Sequence, residues 1–272
     1  MVNTRSVTKK LTQAPLYQQN KHKIKYVYNN INYFSLRRSP LQHFVLIARG
    51  RSGSTCLLDI LSCHPQILTD PHTFFNYDKL PIDFPHRKPV YSSKNVRGYK
   101  FSTQPKNMEQ NAANAKIARY KLEALINAGV SLVYLERSNV VKRAISSLVA
   151  KSRKQFNYRK NERLEALPPV NITPEALLGH MDYCHQQNVF DRSIIQDLPH
   201  IGLNYEQNLA DEADHQDALD KICQFLGITS APAVTRLSKV LPNSIDEYIA
   251  NPEELKSTIA NSNYAKYLGE IA

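Results

Sequence analysis

At 272 residues the chain is long enough for one large α/β domain with a sizeable core, and its net charge of +11 first suggests a polyanion binder. Eight of its Lys and Arg residues lie within residues 1–40 (Arg5, Lys9, Lys10, Lys21, Lys23, Lys25, Arg37, Arg38), which hold no acid, so the remainder carries only a small excess. Nucleic acid is therefore not expected as the main partner of the body, although a non-catalytic polyanion or nucleic-acid binder that uses the basic tail stays as a second alternative to an enzyme, and residues 1–40 read as a basic arm or targeting segment ahead of a domain over 41–272. No apolar run is long enough to span a bilayer, and the start has no secretory apolar core. Cys56, Cys63, Cys184 and Cys223 lack CxxC spacing, which points to reduced thiols and a cytoplasmic setting. The nine histidines show no HExxH or other paired spacing, so no metal site is expected.

The first informative element is FVLIARGRSGSTCLLDILSCHP, residues 44–65. Phe44 to Ala48 reads as a short buried parallel strand, and Leu57, Leu58 and Leu61 recur at helical spacing behind a small-residue turn. Strand, tight loop and helix make a phosphate cradle, because the first N–H groups of the helix lack intrahelical acceptors and sit at the positive end of its dipole. Gly53 permits close backbone approach, and Ser52, Ser54 and Thr55 surround it with hydroxyls. A Walker A loop would place a lysine after its glycine, and none is present; Arg51 stands before Gly53 instead, able to clamp an oxyanion through two donors. The loop thus favours a terminal phosphate or sulfonate over a metal-bridged triphosphate. A P-loop kinase is the alternative.

Cys56, beside this loop, reads as a small packed residue rather than a nucleophile. Gly98 to Phe101 reads as a short strand carrying Lys100. Gly129 ends a helix-like stretch, QNAANAKIARYKLEALINA. Residues 132–150, LVYLERSNVVKRAISSLVA, repeat the strand, turn and helix pattern, with Arg137 at the strand's carboxyl end and Ser146 in the helix. Residues 151–163 hold six basic residues and one acid: a solvated loop, the frame of an acceptor cleft, or a contact with another subunit. After Pro168-Pro169 a helix begins near Thr173-Pro174-Glu175, and residues 200–227 give a strand, a Tyr205-Glu206 pair and a helix closing on Gly227. Strands alternating with helices predict an α/β fold: a P-loop-like parallel β-sheet flanked by helices, in a single domain.

RSGST followed by an apolar helix and His64-Pro65 resembles the 5′-phosphosulfate loop of sulfotransferases that use 3′-phosphoadenosine 5′-phosphosulfate (PAPS), particularly their carbohydrate and bacterial glycolipid branch. The Arg137 and Ser146 segment resembles that family's 3′-phosphate segment, with Ser147 adjacent to Ser146. The Lys100 strand and the Tyr205-Glu206 strand and helix fit in order, and the C-terminal stretch resembles the closing segment, from which Arg236 or Lys239 would reach the co-substrate. The resemblance spans about residues 42–268.

It implies PAPS as co-substrate without a metal, and a hydroxyl acceptor, most simply a sugar or glycolipid, with a small metabolite also open. Arg51 to Thr55, Arg137 and Ser146 would bind the donor, and Arg51 and Lys100 would offset charge building in the transfer. Many members of that branch place a glutamate several residues past the His-Pro pair. The run QILTDPHTFFNYD contains none, and the slot falls at or near His72, with Asp70 the rival base. Homo-oligomerisation is left open.

Overall fold

The computed structural model describes residues 42–76, 96–102, 112–160, 167–239, 241–242 and 244–271. The basic arm of residues 1–40 lies outside them.

Five parallel strands form the sheet. They are β1 (Gln42–Ala48), β2 (Ile67–Asn76), β3 (Val96–Ser102), β4 (Val130–Glu136) and, after a two-residue strand β5 (Tyr158–Arg159), β6 (His200–Asn204). Their spatial order is β2-β3-β1-β4-β6, with β1 central and paired parallel to both β3 and β4. Alternate residues of β1 serve two cores, as the period of two requires. Phe44, Leu46 and Ala48 join α1 (Ser54–Cys63) and a later helix on one face. Val45 and Ile47 pack on the other against α2 (Ala112–Asn127) and the C-terminal half of α4 (Pro174–Ile195). Gly98 sits beneath Phe44, where a Cβ would fall 2.1 Å from the ring's Cζ, so only glycine lets β3 pass there.

A third apolar cluster joins α3 (Val140–Arg153) to the N-terminal half of α4 and to the C-terminal residues, including α7 (Pro252–Ala260). Between them lie α5 (Tyr205–Asn208), α6 (His215–Leu226) and β7 (Leu237–Ser238), the last pairing antiparallel with β5 as a small ribbon. That ribbon is absent from the sequence reading, where β5 lay in a basic run.

Local signals in the sequence match the elements built. Thr173 caps α4 by accepting from the Ala176 N–H, with Pro174 in its first turn. Gly129 follows α2 with φ 80°, and Gly227 ends α6 with φ 65°, the left-handed geometry that favours glycine at these ends. The chain from β1 crosses to β2 on one side of the sheet, while the chain from β4 leads to β6 on the other. The carboxyl ends of β1 and β4 are therefore a topological switch point, where an open parallel sheet leaves a crevice.

Candidate functional site

At that switch point the loop after β1 is held from below. Arg49 makes a two-pronged buried ion pair with Asp191 of α4, Nε to Oδ2 at 2.6 Å and Nη2 to Oδ1 at 2.5 Å. Arg143 of α3, also buried, donates from Nε to the Gly50 carbonyl at 3.2 Å and from Nη1 to Asn188 Oδ1 at 2.8 Å. The Ser52 hydroxyl turns inward and donates to the Arg49 carbonyl at 2.8 Å. Pinned this way, the backbone takes left-handed values at Arg51, φ 62°, and at Gly53, φ 86°. A non-glycine residue held there stores strain of the kind found at ligand clamps. A Cβ at Gly53 would meet Tyr205 Cδ2 at 2.5 Å, so the loop closes on that ring.

Gly53 is the N-cap of α1 and contributes no side-chain cap. The first turn of the helix borders a cavity of about 220 Å³, whose lining includes Arg51, Gly53, Ser54, Thr55 and Cys56. Burial pushes the Cys56 thiol up to about 11, as fits a packed residue rather than a nucleophile.

The loop after β4 supplies the opposite wall. Arg137 Nη1 donates to the Arg51 carbonyl at 3.1 Å, and its guanidinium lies 4.4 Å from the centre of the Tyr205 ring. Its Nε is buried and makes no hydrogen bond, with Glu206 Oε1 standing 3.8 Å away. Glu206 accepts instead from the backbone N–H groups of Ser138 and Asn139, at 3.0 and 3.1 Å. Ser146 reaches the cavity from α3 and accepts from Arg51 Nε at 3.1 Å. Ser147 does not line it.

Four cations, Arg51, Arg137, Lys142 and Lys239, share this cavity with two acids, Glu206 and Glu212. Glu212 is paired outward with Lys160 at 2.8 Å. Burial, and then the neighbouring Arg137, lowers the pKa of Arg51; burial, and then Lys142 and Arg137, lowers that of Lys239. Like charges gathered out of water are unfavourable unless an anion joins them, and such crowding marks binding sites. A buried donor without a partner, a glycine cradle and four converging cations fit a ligand with more than one phosphate-like group.

The structure thus brings Arg51, Gly53, Ser54, Thr55, Arg137 and Ser146 into one cavity. Asp70 and His72 fall in β2 and Lys100 in β3, with Lys100 in register with Leu46 and Phe74. The β2–β3 register shifts between Thr69 and Phe74, so Asp70 and His72 occupy an irregular stretch of strand rather than a simple turn at Pro71. Their side chains, and that of Lys100, lie outside the described part of the structure. His64 is internal: Nδ1 accepts from the Gln66 N–H at 3.1 Å, which leaves Nε2 to donate to the Thr229 carbonyl at 3.0 Å. Of the two candidates near the C terminus, Lys239 lines the cavity while Arg236 turns away to Asp59.

Lys142, Tyr205 and Glu206 escape a reading for ligand residues. Lys142 looks like any helix surface lysine, and the Tyr205-Glu206 pair gives no hint that its ring and carboxylate would prop the two loops.

No protein-family model matches the chain. Nodulation protein H of Rhizobium meliloti is 24% identical over 251 residues, which cover 84% of this chain and 95% of that protein. A mouse sulfotransferase, SULT7A1, solved in complex with PAP, is 14% identical with a TM-score of 0.42, over 89% of this chain and 92% of its own. The chain is thus similar to nodulation protein H over nearly the whole length of that protein. The four cysteines are free thiols, and among the described residues no group of His, Cys, Asp and Glu is arranged to hold a metal ion. No described helix is long and apolar enough to cross a membrane.

Proposed function

We propose that the chain transfers a sulfuryl group from PAPS to a hydroxyl acceptor, a sugar or glycolipid by preference, in the cytoplasm. The observation that carries this reading is the meeting of two strand-loop-helix units in one cationic cavity, with Arg51 Nε on Ser146 Oγ and Arg137 on the Arg51 carbonyl. In the reading, Arg51 and the first N–H groups of α1 take the 5′-phosphosulfate. Arg137 and Ser146 take the 3′-phosphate, with Lys142 and Lys239 adding charge.

The acceptor hydroxyl attacks sulfur in line with the bridging oxygen. A new O–S bond forms, the bond from sulfur to the bridging oxygen breaks, and the electron pair stays on the departing phosphate as 3′-phosphoadenosine 5′-phosphate (PAP). The hydroxyl proton passes to a base, assigned to His72 with Asp70 as the rival, and Lys100 offsets charge on the transferring group. A kinase would need a lysine behind Gly53, and Ser54, Thr55 and Cys56 follow it.

Calorimetry with PAP against ADP tests the donor. Tighter binding of PAP supports the proposal, and equal or tighter ADP binding overturns it. Arg51→Ala should lower turnover by about 10²–10³-fold, the usual loss when one charge-stabilising donor is removed. His72→Ala should lower turnover while leaving PAP affinity intact; full turnover in that variant would pass the base to Asp70 or elsewhere.

A further inference from the structure

Asp59 lies in α1, outside the cavity, yet it accepts four hydrogen bonds from a segment that leads to the cavity wall. It is buried, 5% exposed, and accepts from the Thr235 hydroxyl at 3.0 Å, the Arg236 N–H at 2.7 Å and Arg236 Nε at 2.9 Å. Arg236 Nη2 also donates to Asp59 Oδ1, and to Ser62 Oγ at 2.9 Å. Burial alone would raise the carboxyl pKa, but these bonds bring it below the usual carboxylate range. An apolar residue would serve packing on α1 at lower desolvation cost, so so many bonds aimed at one short segment need another reason.

The segment they hold leads straight into the cavity wall. Thr235 Oγ1 also accepts from the Leu237 N–H at 3.1 Å, which turns the chain into β7. There Arg236 O accepts from the Lys160 N–H at 2.9 Å, and Leu237 and Ser238 pair with Arg159 and Tyr158 of β5. Leu237, Ser238 and Lys239 all face the cavity, and so do Phe156 and Asn157 just before β5. At that far end Arg51 Nη1 donates to the Phe156 carbonyl at 2.5 Å. The ribbon is thus tied twice to one loop and helix: by Arg51, a group the ligand would engage, and by Asp59, a group it would not reach.

We propose that Asp59 is a positioning residue whose clamp on Thr235 and Arg236 fixes the β5–β7 ribbon, and with it Lys239, against the anion cavity. The inference rests on the donor reading above. When an anion takes up the Arg51 guanidinium, the Phe156 tie competes with it, and the Asp59 clamp is the tie that keeps the wall in place. The Arg236 side chain is 64% exposed, so its removal leaves no core cavity, and Asp59 keeps the Thr235 hydroxyl and the backbone N–H of residue 236 as partners.

The test is PAP calorimetry on the full chain for wild type, Arg236→Ala, Asp59→Asn and the double variant, with thermal melting of each. Both single variants should weaken PAP binding roughly three- to tenfold. The double variant should be no worse than the weaker single, because residues sharing one hydrogen-bond network do not act additively. Arg236→Lys should recover part of the loss. Unchanged PAP affinity in Arg236→Ala, or a lowered melting temperature as the sole change in Asp59→Asn, overturns the assignment while the donor reading stands. Wild-type chain that does not bind PAP overturns both.

Discussion

The loop after β1 and the loop after β4 are the same device locally, a parallel strand turning into a helix at the sheet's carboxyl edge, yet they offer different things to a ligand. In the first, α1 is capped by Gly53 without any side chain, and Ser54, Thr55 and Cys56 of its first turn line the cavity. In the second, Asn139 caps α3 by accepting from the Lys142 N–H at 2.8 Å, and Glu206 occupies the N–H groups of Ser138 and Asn139. Its backbone is already satisfied by the protein. What it presents is side chains, Arg137, Lys142 and Ser146. A side-chain cap or a carboxylate on the first N–H groups of a helix competes with an external anion for them, so the first loop suits an anion better than the second.

Breaking the backbone cradle should have the largest effect. Gly53→Ala sets a Cβ into Tyr205 at a positive φ, and should lower PAP affinity by about 100-fold or more as the loop loses its geometry; near-normal calorimetric affinity would show that the cradle is not the anion site. The second loop should fail more selectively. Arg137→Ala removes a guanidinium and should cost PAP roughly tenfold or more, within the range for hydrogen bonds to charged groups, while ADP affinity stays level. An equal loss for both ligands would deny Arg137 its link to the 3′-phosphate.

Glu206→Ala uncovers the amides of the second loop without touching the first. It should destabilise the fold by about 2 kcal/mol, seen as a melting temperature about 5 °C lower, since two backbone donors lose a charged acceptor. No change in melting would mean that water replaces the carboxylate freely. The smallest effect concerns pH. The pKa of Lys239 is lowered, so its charge is present at low pH and lost as pH rises through that lowered value, earlier than for an ordinary lysine. PAP affinity should fall in alkaline solution, and Lys239→Arg should push the fall to higher pH; an identical profile in that variant would assign it to another group.

By itself the sequence determined the two strand-loop-helix units, the helix ends at Gly129, Thr173 and Gly227, and the candidate anion loop, because each rests on periodicity, capping or backbone freedom within a few residues. It also marked Arg137 and Ser146, through family resemblance and position at a strand end. Only the tertiary structure decided which groups meet. Strand order sets β4 beside β1 and so brings Arg137 to the Arg51 carbonyl; side-chain packing then makes Tyr205 the floor of the loop and Glu206 the cap of its neighbour. The same holds for Arg236, which the C-terminal stretch offered as a ligand residue and which Asp59, 177 positions away, claims instead. Pairings across such separations leave no local pattern, since they depend on the order of strands in the sheet.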